Sequence, residues 1–127
     1  MTDDDNLAPA FRRLRVAAEA AKLPGIEEGT SYGTPSLKVR GKSFVRVKDA
    51  GTVVVLCPIE EKEMLMAAEP DIFYETDHYK GWPAMLVRIA NIDDAALAHS
   101  LERSWRQKAP KRLVAEFEAA RAGKGSK

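Results

Sequence analysis

Leu7, Phe11, Leu14, Ala18 and Ala21 recur at intervals of four and three, the stripe of an amphipathic helix. Asn6 or Asp5 offers an acceptor for its first free amides, and Leu23-Pro24-Gly25 stops it. From Glu27 the chain turns to short extended stretches broken by Gly and Pro. Ser36–Arg40 and Ser43–Lys48 read as a hairpin through Gly41, and Thr52–Cys57 as a strand buried on both faces. Pro58 opens a helix with Glu60, Glu61 and Glu63 near its positive end, halted before Pro70. Ala84–Ala90 gives another strand, with Met85, Val87 and Ile89 on one face. Asp93 then caps a helix, Ile92 staples onto Leu97, and Leu97, Leu101 and Trp105 form the buried stripe. Pro110 interrupts it, Leu113, Val114 and Phe117 continue a last helix, and Gly123 to Lys127 reads as a frayed polar tail. Helix, strands, helix, strand and two helices predict an α+β fold, an antiparallel β-sheet packed against helices in one domain over 1–127, with 1–5 and 123–127 flexible.

Loop length decides what the hairpin presents. A three-residue loop, Arg40-Gly41-Lys42, pairs Val39 with Ser43, Leu37 with Val45 and Pro35 with Val47. Leu37, Val39, Val45 and Val47 then face a core, while Lys38, Phe44, Arg46 and Lys48 form a cationic outer ribbon carrying one ring. Two-stranded ribbons enter the DNA major groove, and Lys/Arg arrays neutralise phosphates. The plainer alternative is a solvated strand whose lysines discourage edge-to-edge pairing.

Charge strengthens this picture only locally, because the net charge is +1. Residues 37–48 and 103–112 carry cations without acids, the second segment including Arg106, Lys111 and Arg112. Residues 60–77 are the reverse, with Lys62 the one cation among seven acids. A single cysteine, Cys57, permits no intrachain disulfide and fits a reducing compartment. No apolar run reaches the roughly 18–20 residues of a membrane span. The acidic start is the reverse of a secretory signal, so the expected location is cytoplasmic, with no membrane partner.

The remaining chemistry lies in two segments. Residues 74–83 read Tyr-Glu-Thr-Asp-His-Tyr-Lys-Gly-Trp-Pro, and residues 27–35 read Glu-Glu-Gly-Thr-Ser-Tyr-Gly-Thr-Pro. Rings with polar tips suit binding pockets. Asp77 and His78 form a base and its orienting acid only if the fold brings them together, since strand neighbours diverge. Cys57 sits in the most apolar strand and reads as an inert core thiol. His78 and His99 have no metal-site spacing, and no hydrolase elbow, Walker loop or dinucleotide fingerprint is present. The expectation is no catalytic residue, no metal and no cofactor, and no recognisable catalytic motif makes a case for an enzyme, a question that stays open.

Several ordered motifs resemble one family. Leu23-Pro24-Gly25, Thr30-Ser31-Tyr32-Gly33-Thr34-Pro35-Ser36-Leu37-Lys38-Val39, Gly41-Lys42, Thr76-Asp77-His78-Tyr79-Lys80-Gly81-Trp82-Pro83 and Ala109-Pro110-Lys111-Arg112 are similar to the MmcQ/YjbR family, over about Phe11 to Phe117. The resemblance implies a two-layer sandwich of the frataxin (CyaY) shape, without importing iron binding. It also implies a DNA-binding role through wing-like basic elements, with no catalytic residues to carry across. The leading expectation is therefore DNA as partner, through Lys38, Arg40, Lys42, Phe44, Arg46, Lys48, Arg106, Lys111 and Arg112. One alternative is a pocket for a small anionic ligand, or an enzyme, built from Tyr32, Thr34, His78, Tyr79, Lys80 and Trp82. Another is a protein-interaction module using the charge polarity.

Overall fold

The computed structural model describes residues 6–125. Four helices, α1 (Ala8–Ala20), α2 (Ile59–Ala68), α3 (Asp94–Lys108) and α4 (Lys111–Gly125), accompany six strands. These are β1 (Ile26–Ser31), β2 (Thr34–Val39), β3 (Lys42–Asp49), β4 (Thr52–Leu56), β5 (Phe73–Tyr74) and β6 (Ala84–Arg88). They form one antiparallel sheet in the order β1-β2-β3-β4-β6-β5. The α+β architecture expected from the sequence is the one found.

Alternation along the strands sorts the side chains between two faces. Leu37, Val45, Val55 and Met85 lie in one cross-strand row, and Val47, Val53, Val87 and Phe73 in another. All eight are core residues, packed in one cluster with Leu14 of α1, Leu97, Leu101 and Trp105 of α3, and Leu113 and Phe117 of α4. The opposite row runs Ser36, Arg46, Val54, Leu86 and Tyr74. Val54, Leu86 and Ala84 there make a second, smaller cluster, covered by Tyr74 and Tyr79.

The hairpin differs from its expected register. Arg40 and Gly41 both have positive φ (51° and 79°), so a two-residue turn joins β2 to β3 and pairs Val39 with Lys42. Such mirror-image turns match the strands' own twist. The even loop would then send Val45 to the wrong face, and a bulge corrects it: Lys38 pairs with Ser43 and Leu37 with Val45, passing over Phe44. Phe44 is consequently core, 1% exposed, rather than the ring of an outer ribbon. On the other side of β3 the pairing with β4 ends at Val45 and Val55, and the Ser104 hydroxyl of α3 bridges the next positions, donating to Phe44 O and accepting from Leu56 N at 2.8 Å.

Other local expectations divide. Asp93 does cap α3, accepting from Ala96 N at 2.7 Å, and Ile92 and Leu97 are both core. At α1 the cap position is Leu7, with no side-chain cap bond, so Asn6 does not serve; Asp5 lies outside the described residues. Gly123 is helical, because α4 continues to Gly125 rather than fraying. The last two residues and 1–5 lie outside the described residues. No helix among the described residues is long and apolar enough to cross a membrane.

Candidate functional site

One turn and one strap build a groove at one end of the sheet's open face. Tyr32 and Gly33 join β1 to β2 through a second left-handed pair, φ 53° and 81°. A tyrosine in that region is strained relative to glycine or asparagine. The turn leaves Tyr32 91% exposed. The facing wall is residues 75–83, which enclose a short 3-10 turn, Asp77–Tyr79.

A buried lysine fixes that strap. Lys62 of α2 is 2% exposed, and its Nζ donates to the carbonyls of Tyr79 and Trp82, both at 2.8 Å. Glu75 Oε1 completes the cage at 2.7 Å. The one cation in the acidic run thus pins both ends of the strap to α2. That isolation in sequence was the available signal, and its meaning was not legible without the fold.

Between the walls is a cavity of ≈ 460 Å³ lined by Tyr32, Arg46, His78, Tyr79, Trp82 and Ala84. The Arg46 guanidinium donates to Tyr79 Oη at 3.0 Å and Thr34 Oγ1 at 3.4 Å, and lies 5.3 Å from the Tyr32 ring centroid. His78 meets Tyr79 edge-on, centroids 4.8 Å apart. Trp82 is 63% exposed. Of the residues expected around a pocket, Tyr32, His78, Tyr79 and Trp82 line this one and Thr34 braces it. Lys80 is not among the lining residues. Arg46, expected on a DNA-facing ribbon, is instead the groove's cation. Asp77 and His78 are both exposed, with no hydrogen bond between them.

The rest of the basic set is dispersed. Arg106 is held by Glu102 (3.1 Å) and Glu118 (2.7 Å). The bond to Glu118 raises its pKa further, against its partial burial. Burial opposes charge on Glu102, but hydrogen bonds from Arg121 and Arg106 outweigh it and hold its carboxyl below the usual carboxylate range. Lys48 falls at a second β3 irregularity beside Asp49, and half-buried Lys38 lays its stem along Gly29. Arg40, Lys42, Lys111 and Arg112 are exposed. Leu113 and Val39 converge on Gly25, so the start of α4, with Lys111 and Arg112, lies toward the β2–β3 turn that carries Arg40 and Lys42. That basic tip sits at the other end of β2 from Tyr32 and the groove. Cys57 is wholly buried, and desolvation raises its thiol pKa. Among the described residues no group of His, Cys, Asp and Glu is arranged to hold a metal ion.

A sequence model of the YjbR family matches residues 21–107. The uncharacterised proteins Rv2570 of Mycobacterium tuberculosis and Mb2600 of Mycobacterium bovis are each 39% identical over 73 residues, 58% of this chain and 50% of theirs. The chain therefore spans about half the length of the curated relatives it matches. The crystal structure of the Deinococcus radiodurans protein DR2400, a DUF419 domain, aligns with a TM-score of 0.62 over 83% of this chain and 85% of that one. At 18% identity that likeness concerns the fold alone.

Proposed function

The chain belongs to the YjbR family, and from that footing we propose that it binds a small anionic ligand in the groove between the Tyr32 turn and the 75–83 strap. The observation that carries this reading is the state of Arg46. Its guanidinium is half-buried and held by two hydroxyls, and no carboxylate of the described residues pairs with it. Arginine forks suit carboxylate and phosphate, and a hydroxyl positions the fork without cancelling its charge. The cavity volume falls in the range of about 300–1,000 Å³ usual for small-molecule sites. Every lining residue also lies within the segment matched by the family model.

Phenyl phosphate is the probe for this reading. It should shift the amide resonances of residues 32–34, 46 and 78–82 in a ¹H–¹⁵N titration, and Arg46→Gln should weaken its binding about tenfold or more. Saturating shifts elsewhere, or none, would refute the site.

A second reading rests on the basic tip. Arg40, Lys42, Lys111 and Arg112 are exposed where the start of α4 lies toward the β2–β3 turn, an array able to contact duplex phosphates without reading bases. A 20-base-pair duplex separates the two surfaces. Binding lost on reversing those four charges but kept in Arg46→Gln belongs to the tip alone.

A further inference from the structure

We propose that the groove's ligand is a nucleoside monophosphate, its base stacked on Tyr32 and Trp82 and its phosphate on Arg46. This rests on the groove being an anion site and adds what the rest of the ligand must be. The argument starts from the rings. Among the described residues, Tyr32 and Trp82 are the exposed aromatic side chains of the Phe, Tyr and Trp set. Phe44, Phe73, Phe117 and Trp105 are buried, and Phe11, Tyr74 and Tyr79 are half-buried against the two clusters. Both exposed rings line one cavity, on its opposite walls. They keep large flat apolar faces in water beside a fixed cation. A planar heteroaromatic ring would cover those faces by stacking, as bases do on Tyr and Trp in single-strand binding proteins.

The anion must be reached at the same time. Of the five N–H groups of the Arg46 guanidinium, bonds to Thr34 and Tyr79 are the ones made among the described residues. The others remain to be met by a phosphoryl group in bidentate fashion. The Arg46 carbon stands 5.3 Å from the Tyr32 centroid, so one compact ligand carrying both a ring and an anionic group spans the site. No acidic residue lines the cavity to repel it, and Glu75 is turned away onto Lys62. A bare oxyanion would leave most of the ≈ 460 Å³ to water. A ribose between base and phosphate fills that middle, with His78 and the Tyr79 hydroxyl at hand for its oxygens.

Trp82 supplies the readout, because the other tryptophan, Trp105, is wholly buried. The titrants are AMP, GMP, CMP and UMP, with adenosine, ribose 5-phosphate and phenyl phosphate beside them. At least one nucleotide should quench the Trp82 emission and bind about tenfold or more tighter than each of the three partial ligands. Trp82→Phe should remove the quenching. Tyr32→Asn, chosen because Asn accepts the left-handed turn, and Arg46→Gln should each weaken nucleotide binding about tenfold in a protein that still unfolds cooperatively. Nucleotides binding no better than phenyl phosphate would overturn the nucleotide assignment and leave the anion site standing. No binding by any titrant would overturn both. A single-stranded octamer binding more than about tenfold tighter than every monomer would transfer the site from free nucleotides to strands.

Discussion

Replacing Lys62 by Met tests whether the strap, and with it the groove wall, is held by one buried ammonium. Methionine nearly matches lysine in length and bears no charge. Lys62 Nζ makes three contacts: 2.8 Å to Tyr79 O, 2.8 Å to Trp82 O and 2.7 Å to Glu75 Oε1. Hydrogen bonds from charged groups are each worth about 1.5–3 kcal/mol net, while burying an ammonium costs several kcal/mol in return. The residual loss comes from the acceptors left behind. Tyr79 O keeps Trp82 N at 3.0 Å, and the Glu75 side chain, 26% exposed, regains water. Trp82 O has no second donor among the described residues, and a stranded carbonyl costs about 1–3 kcal/mol. Breaking a buried pair from one side typically costs about 3–5 kcal/mol, and partial rehydration of Glu75 lowers that to about 2–4 kcal/mol here. For a chain of this length that is a fall of roughly 8–16 °C in thermal midpoint. The amides of Tyr79 and Trp82, bonded to Thr76 O and Tyr79 O, should exchange faster than those of β3 and β4. A variant melting within about 2 °C of the parent, with strap exchange unchanged, would falsify the clamp.

Two further outcomes follow from the core and the ion-pair cluster. Phe44→Ala should cost about 3–5 kcal/mol in urea denaturation because the ring is core; a loss below about 0.5 kcal/mol would mean it faces solvent after all. Glu102 has a lowered folded-state pKa, so its unfolded form takes up a proton first on acidification. Its contribution is complete above the unfolded value of about 4.3 and is lost as pH falls through the lower folded value. Glu102→Gln should therefore be less stable than the parent at pH 7, with the gap closing below about pH 4. A gap constant from pH 7 to pH 3 would refute the coupling to Arg121 and Arg106.

Sequence reading succeeded where one force dominates locally. The α1 and α3 stripes, the Asp93 cap and the apolar runs of β4 and β6 each declare themselves within a few residues. It failed where a distant partner decides. β5 is two residues long, and only its pairing with Val87 and Leu86 makes Phe73–Tyr74 a strand. β1 is an edge strand of largely polar residues, Glu27, Glu28, Gly29, Thr30 and Ser31, so it carries no alternation to read. In the hairpin, two devices give nearly the same pattern: an odd loop, or an even loop with a bulge. Parity chose Leu37, Val39, Val45 and Val47 correctly and placed Phe44 wrongly, because the bulge lets consecutive residues share a face. The groove was half legible: its two aromatic segments were named, but Arg46 and Lys62 join it through the sheet and α2.

Cation count is therefore a weaker guide to an anion site than the identity of what each cation already touches. Arg13, Arg15, Arg103, Arg106 and Arg121 each meet a carboxylate, so an anion arriving there must displace an acid already in place. At Arg106 it must displace both Glu102 and Glu118. At Arg46 it meets a guanidinium oriented by two hydroxyls that carry no opposing charge, so nothing is exchanged except water. The exposed cations of the basic tip are held in no ion pair among the described residues, although the Glu27 carboxylate lies at that turn, accepting from Gly41 N at 3.2 Å. They also lack fixed partners, and mobile lysines on a surface lose side-chain entropy on contact. Affinity per cation is thus expected to be greatest at Arg46, where the fork is already ordered before any ligand arrives.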